Sequence, residues 1–158
     1  LPGIFTIRLA VSSRLTEEID IMKVAVVDGQ GGGIGKAITE KLRKEFGEKI
    51  EIYAFGTNAL ATAALLKAGA NEGATGENAI IQNMSEMDMI VGPLGIIVAH
   101  SMLGELTPRM AEAIAKSKAR KLLLPINRVR IDVIGAKAEP LPHLVNELLM
   151  QVKTVWKD

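Results

Sequence analysis

The stretch VAVVDGQGGGIGKAITEKL, residues 24–42, constrains the fold more than any other part of the chain. It runs from a short apolar segment into a helical pattern through a turn that holds five glycines. A strand that is continuously apolar, instead of alternating, has both faces covered. A strand that passes through glycines straight into a helix opens a βαβ unit. The helix that follows carries Ile34, Ala37, Ile38, Leu42 and Phe46 on one stripe. Glu40, Lys41, Arg43 and Lys44 lie on the other side, and Gly47 ends it.

The same alternation continues along the chain. Residues 22–27 and 50–55 read as strands; Gly56, Thr57 and Asn58 then open a second helix, with Thr57 or Asn58 as its cap and Gly69 as its terminator. Residues 71–87 read as a glycine-punctuated loop with a short helix, and residues 88–91 as a strand ending at Gly92 and Pro93. Thr107 and Pro108 form a cap and first-turn pair for a helix over 108–118. Residues 121–124 make a further strand, and only PINR separates it from the alternating VRIDVI, residues 129–134. A parallel crossover needs a dozen or more residues, so this last strand is expected to run antiparallel. A C-terminal helix opened by Pro142 buries Leu144, Val145, Leu148, Leu149, Val152 and Val155. The pattern predicts an α/β fold: a three-layer sandwich around a mostly parallel sheet with an antiparallel last strand.

Ligands of such folds bind at the carboxyl ends of the strands. Asp28 and Gly29, Gly56 to Asn58, Gly92 and Pro93, and Ile126 with Asn127 occupy those ends. Composition narrows the chemistry. The 158 residues suit one domain, taken as 22–158, and no linker is needed. With 19 Lys and Arg against 18 Asp and Glu, spread over several helices, nucleic acid is not an expected partner. Cysteine is absent and histidine occurs only at His100 and His143, which removes disulfides, thiolate chemistry and Cys- or His-rich metal sites. Apolar runs such as 94–99 are too short for a membrane span, so the expectation is a soluble cytoplasmic protein.

Residues 1–21 stand apart from this pattern. They are read as an extension or upstream-start addition without chemistry, or else as an added edge strand, Phe5 to Val11, pairing with a neighbouring sheet or subunit. The helix ALATAALLKAGA carries a single charge, Lys67, and a helix apolar nearly all round is buried on more than one face. A homodimer is therefore expected, with this helix at its interface.

The glycine turn can be tested against known patterns. The P-loop pattern needs Gly at Gln30 and a hydroxyl at Ala37, and G-x-G-x-x-G fails in every register. What fits is G-x-x-x-G-x-G at Gly29, Gly33 and Gly35, which resembles the cofactor loop of short-chain dehydrogenases. That resemblance covers one strand, turn and helix. The Thr expected before the first Gly is Asp28, and the Tyr-x-x-x-Lys pair is missing, with Thr57 at the Lys place of Tyr53. A dehydrogenase of that type is rejected.

The physics of the turn stands without the family. Glycines let a ligand touch the backbone, and a helix opening near Ile34 offers free N–H groups and a positive dipole end. The candidate cradle comprises Asp28, Gly29, Gln30, Gly31, Gly32, Gly33, Ile34, Gly35 and Lys36, with Gly56, Thr57, Asn58, Gly92 and Pro93 completing the pocket. A nucleotide or other phosphorylated small molecule, in any case a small anion, is the expected guest. Asp28 opposes a phosphate and suits a ribose hydroxyl, a ligand-held metal or the loop's own N–H groups. No acidic residue ends the second strand to hold a dinucleotide ribose. The competing reading is that the glycines only let the helix pack on the sheet, in a non-catalytic scaffold or interaction module. Thr75, Glu77 and Asn78 of GATGEN either add binding groups or form a turn and cap. His100 reads as a structural residue in an apolar run, His143 as exposed, and Asn127 and Arg128 as loop, Arg128 being able to reach an anion.

Taken together, KVAVVDGQGGGIGK, AFGTNALATAALLKAGANEGATGENAI, VGPLGI and GELTPRMAEAIA resemble a small bacterial family of Rossmann-like proteins of unknown function. The resemblance runs from Met22 into the C-terminal helix and implies a Rossmann-like fold, with no activity, substrate or cofactor attached.

Overall fold

The computed structural model of the protein describes residues 21–156. Residues 1–20 of the extension, and with them the Phe5 to Val11 strand reading, lie outside the described residues.

Five strands form one sheet in the order β3-β2-β1-β4-β5, and every pairing is parallel. They are β1 (Met22–Asp28), β2 (Ile50–Gly56), β3 (Glu72–Thr75), β4 (Met89–Pro93) and β5 (Arg120–Leu124). The helices are α1 (Gly33–Phe46), α2 (Ala59–Lys67), α3 (Glu77–Asn83), α4 (Pro108–Lys116) and α5 (Leu141–Trp156). The central strand shows why β1 reads as a continuous apolar run. Val24 and Val26 enter one core with Ile38, Leu42, Leu65 and Leu148, while Ala25 and Val27 enter a second with Ile80, Ile96 and Ile114. Successive residues of a strand point to opposite faces, so a strand with a core on each side has no polar position. Thus α1, α2 and α5 cover one face and α3 and α4 the other.

The helix boundaries follow local chemistry. Asn58 caps α2 by accepting from the Ala61 N–H at 2.9 Å, and Thr107 caps α4 by accepting from Met110 N–H at 3.2 Å. The C-terminal α5 is fastened to α1 by an edge-to-face contact of Phe46 and Trp156, 5.0 Å between centroids, and by the Lys153–Glu45 ion pair. Arg43, expected on a solvated helix face, instead joins α1 to the sheet. Its guanidinium donates to the carbonyls of Gly69 (2.9 Å) and Gly47 (2.5 Å) and to Asn71 Oδ1 (2.5 Å).

Two sequence expectations are corrected. Residues 72–75, expected as loop, form the edge strand β3, because the residues after α2 extend β2's ladder from Tyr53↔Glu72 to Gly56↔Thr75. The antiparallel last strand over 129–134 does not form. The bonds made there are local: Ile131 N–H to Val129 O (2.6 Å), Ala136 N–H to Val133 O (3.0 Å), and Asn127 Nδ2 to Ile131 O (3.1 Å). Ile131, Val133 and Ile134 are 41%, 44% and 95% exposed. Alternation marks a strand only where a neighbouring ladder and a buried face receive it, and here the backbone closes on itself first. Among the described residues no helix is long and apolar enough to cross a membrane.

Candidate functional site

Parallel strands bring all their carboxyl ends to one rim. The strand order reverses between β1 and β4, so the glycine turn leaving β1 stands at the topological switch point where such folds form a crevice.

The five glycines of the turn divide by what surrounds them. A Cβ on Gly35 would lie 2.9 Å from both Asp28 Cβ and Leu65 Cδ1. On Gly29 it would lie 2.5 Å from Met102 Sδ and Thr57 Oγ1, and on Gly32, at φ +74°, 3.0 Å from Ala61 Cα. Gly32 and Gly35 let α1 close on α2 and on β1, and Gly29 makes room for Thr57 and for Met102 from the segment before α4. Gly31 and Gly33 differ: both are exposed, neither has φ in the left-handed region, and a Cβ on either would meet nothing within 4 Å. Their N–H groups have no recorded acceptor among the described residues. The turn thus has an inner side used for packing and an outer lip left open.

Asp28 occupies the inner side. Its carboxylate, 4% exposed, accepts from the N–H of Gly29 at 2.8 Å and of Gly35 at 2.6 Å. Burial pushes its pKa up, against the lowering effect of the Gly35, Gly29 and Ile34 amides, and Glu105 adds a smaller repulsion. Asp28 therefore satisfies the first turn of α1 from within, the turn role the sequence allowed.

Sequence reasoning missed Glu105. It comes from the segment between β4 and α4 and reaches the end of β2. Its Oε1 accepts from Gln30 N–H (2.9 Å), Thr57 Oγ1 (2.7 Å) and Asn58 Nδ2 (2.6 Å). The Thr57 hydroxyl is the largest influence holding its pKa below the usual glutamate value, with the Gln30 amide and Asn58 acting in the same direction. Asn58 Nδ2 also donates to Gln30 O at 2.9 Å, which pins the left-handed Gln30 (φ 50°). A carboxylate thus stands at the end of β2, where the strand's own sequence has none.

The remaining predicted residues fall into two groups. Thr57, Asn58 and Gln30 gather around Glu105 beside the lip, and Lys36 is exposed in the first turn of α1. Gly56, Gly92 and Pro93 are buried: a Cβ on Gly56 would lie 2.4 Å from Thr62 Oγ1, and one on Gly92 2.4 Å from Val27 O. Those positions serve the fold. Thr75 and Glu77 are used structurally too, Thr75 pairing with Thr62 at 2.7 Å and Glu77 accepting from Thr107 Oγ1 at 2.8 Å. His100 is exposed, contrary to its expected place in an apolar run, and takes a left-handed φ of 69°. His143 is exposed as expected, with Nδ1 3.2 Å from Glu139 Oε2. Asn127 caps the Ile131 carbonyl within the surface loop. Among the described residues no cluster of three His, Cys, Asp or Glu side chains could hold a metal. Two open cavities, about 570 Å³ between β5 and α5 and about 610 Å³ between α3 and α4, are lined by other residues.

Comparison with solved structures shows the fold. The chain is similar to a dodecameric FMN-dependent Ubix-like decarboxylase from Escherichia coli O157:H7, at 17% identity and a TM-score of 0.52 over 84% of this chain and 95% of that one. A weaker likeness is to a universal stress protein in complex with cAMP, at 16% identity and a TM-score of 0.39 over 66% and 98%. No curated protein matches. The first likeness and the strand order show a Rossmann-like α/β fold. Residues 23–157 match the family described as Domain of unknown function (DUF3842), and the chain belongs to that family.

Proposed function

We propose that this protein binds a small phosphorylated molecule, with a nucleotide as the favoured class, at the open lip of the glycine turn. The observation that carries this reading is the pair Gly31 and Gly33. The fold needs no glycine at either position, and their backbone N–H groups, at the N-terminal end of α1, have no acceptor among the described residues. Exposed Lys36 supplies a positive charge one turn further on. The buried Asp28 carboxylate restricts a phosphate to this outer lip, since the inner amides are already taken.

The test is thermal unfolding against adenine and guanine nucleotides, nicotinamide and flavin cofactors, coenzyme A, sugar phosphates and sulfate. Flavin mononucleotide belongs in the panel because the decarboxylase of similar fold is FMN-dependent. A ligand at about 100 times its Kd adds about 2.7 kcal/mol. One compound should stand out above sulfate, and Gly31→Val with Gly33→Val should abolish its effect without lowering the apo midpoint. A flat panel would overturn the reading.

A homodimer is proposed alongside. The outer face of α2 leaves Leu60 and Leu66 69% and 40% exposed, an apolar surface that a second copy would cover.

A further inference from the structure

The segment 98–106, which carries Glu105, is built unlike the rest of the rim. His100, Met102 and Leu103 all take left-handed backbone angles, φ 69°, 59° and 56°, in a region that residues with a Cβ seldom enter. Leu103 is 98% exposed at its tip. The segment folds back through His100 N–H to Leu106 O at 2.8 Å, and lays Met102 over Gly29, where a Cβ would come within 2.5 Å of its sulfur. It reaches the turn through one polar group, the Glu105 carboxylate.

Three donors from two separate loops converge on a single oxygen of that carboxylate. Convergent donors of this kind, one backbone N–H, one hydroxyl and one amide, are what an anionic ligand oxygen requires. The Gln30 N–H is continuous along the chain with the open N–H groups of Gly31 and Gly33. On the binding reading the site has two halves: the Gly31 and Gly33 amides, and the Gln30, Thr57 and Asn58 donors now taken by the protein's own carboxylate.

We propose that residues 98–106 form an autoinhibitory strap, with Glu105 occupying the inner half of the anion site until a phosphorylated ligand displaces it. The inference rests on the binding reading above. When the ligand's oxygens take over the donors of Gln30, Thr57 and Asn58, the strap is released and its left-handed residues relax. The strap thereby couples occupancy of the site to the position of Leu103 on the surface.

The experiment uses the full chain and inorganic pyrophosphate as probe, titrated calorimetrically into wild type, Glu105→Ala, Glu105→Gln and the double variant Gly31→Val with Gly33→Val. Removing the competing carboxylate should lower the Kd of Glu105→Ala at least about tenfold, or about 1.4 kcal/mol. Glu105→Gln, which keeps an acceptor oxygen but loses the charge, should fall between it and wild type. Hydrogen exchange on wild type supplies a reading that needs no variant: pyrophosphate should speed exchange at Leu106 and slow it at Gly31 and Gly33. If Glu105→Ala binds no better than wild type, or the segment 98–106 becomes more protected with ligand, the strap is overturned and the glycine lip stands. Equal binding by the Gly31→Val, Gly33→Val variant, or no binding by any form, overturns the lip itself and the strap with it.

Discussion

The division of the glycine turn into packing and open positions can be tested by adding one methyl group at two places. In Gly35→Ala the new Cβ would stand 2.9 Å from Asp28 Cβ and Leu65 Cδ1 and 3.2 Å from Asp28 Oδ2. Asp28 cannot retreat, because it lies in the central strand and both its oxygens are bound by turn amides. Overpacking of this kind costs about 1–3 kcal/mol, and the helix preference for Ala over Gly returns about 1 kcal/mol of it. In Gly33→Ala the methyl group meets nothing within 4 Å at a helical position. Restricting the unfolded chain there stabilises by up to about 1 kcal/mol. The two variants should thus differ in sign and lie about 2 kcal/mol apart, which for a chain of this size separates their midpoints by about 4–8 °C. Urea and thermal unfolding of the ligand-free protein measure this directly. If Gly33→Ala loses as much stability as Gly35→Ala, the fold itself requires the open lip, and the observation behind the binding proposal is gone.

Two further outcomes follow from the same geometry. Burial raises the Asp28 pKa from its ordinary 3.8, so the folded state binds a proton more tightly than the unfolded chain. Its contribution is fully present below that value and is lost as pH rises through the folded pKa. Glu105, lowered from 4.5 chiefly by Thr57, contributes above that value and loses the contribution as pH falls through its folded pKa. Urea unfolding from pH 3.5 to 7 should show the gap between wild type and Asp28→Asn shrinking with rising pH, and that between wild type and Glu105→Gln shrinking with falling pH. Either slope reversed would contradict the assigned environments. Light scattering at micromolar concentration should give a dimer mass for wild type and a monomer mass for a folded Leu60→Glu, Leu66→Glu variant, and a wild-type monomer would end the dimer proposal.

The fold was legible where one residue's surroundings are set by its near neighbours in sequence. Two-sided burial of β1 shows as an unbroken apolar run, and the caps at Asn58 and Thr107 act within three residues of themselves. It was illegible where a distant partner decides. Arg43 resembles any cation on a polar helix face, and only the arrival of Gly69 and Asn71 some twenty-six to twenty-eight positions on turns it into a clamp. Residues 72–75 are too short and polar to announce a strand, yet β2 offers them a ladder. Residues 129–134 announce one clearly, and among the described residues no neighbouring strand receives them.

The site shows the same limit in sharper form. Gly29, Gly32 and Gly35 face neighbours, while Gly31 and Gly33 face none, yet all five are the same letter in the sequence. What separates them is the position of Ala61 and Leu65 on α2 and of Met102 in the segment before α4. Packing therefore accounts for Gly29, Gly32 and Gly35 and not for Gly31 and Gly33, and the two kinds of position alternate along one turn. Glu105 follows the same logic from the opposite side. It lies 48 positions from Thr57, in no recognisable pattern with it, yet it places a carboxylate at the end of β2 where the strand lacks one. On the binding proposal, that carboxylate, held by three donors, fills one part of the anion site and leaves the Gly31 and Gly33 amides for the other. If the strap proposal holds, ligand binding at the turn is set by Glu105 as much as by the glycines themselves.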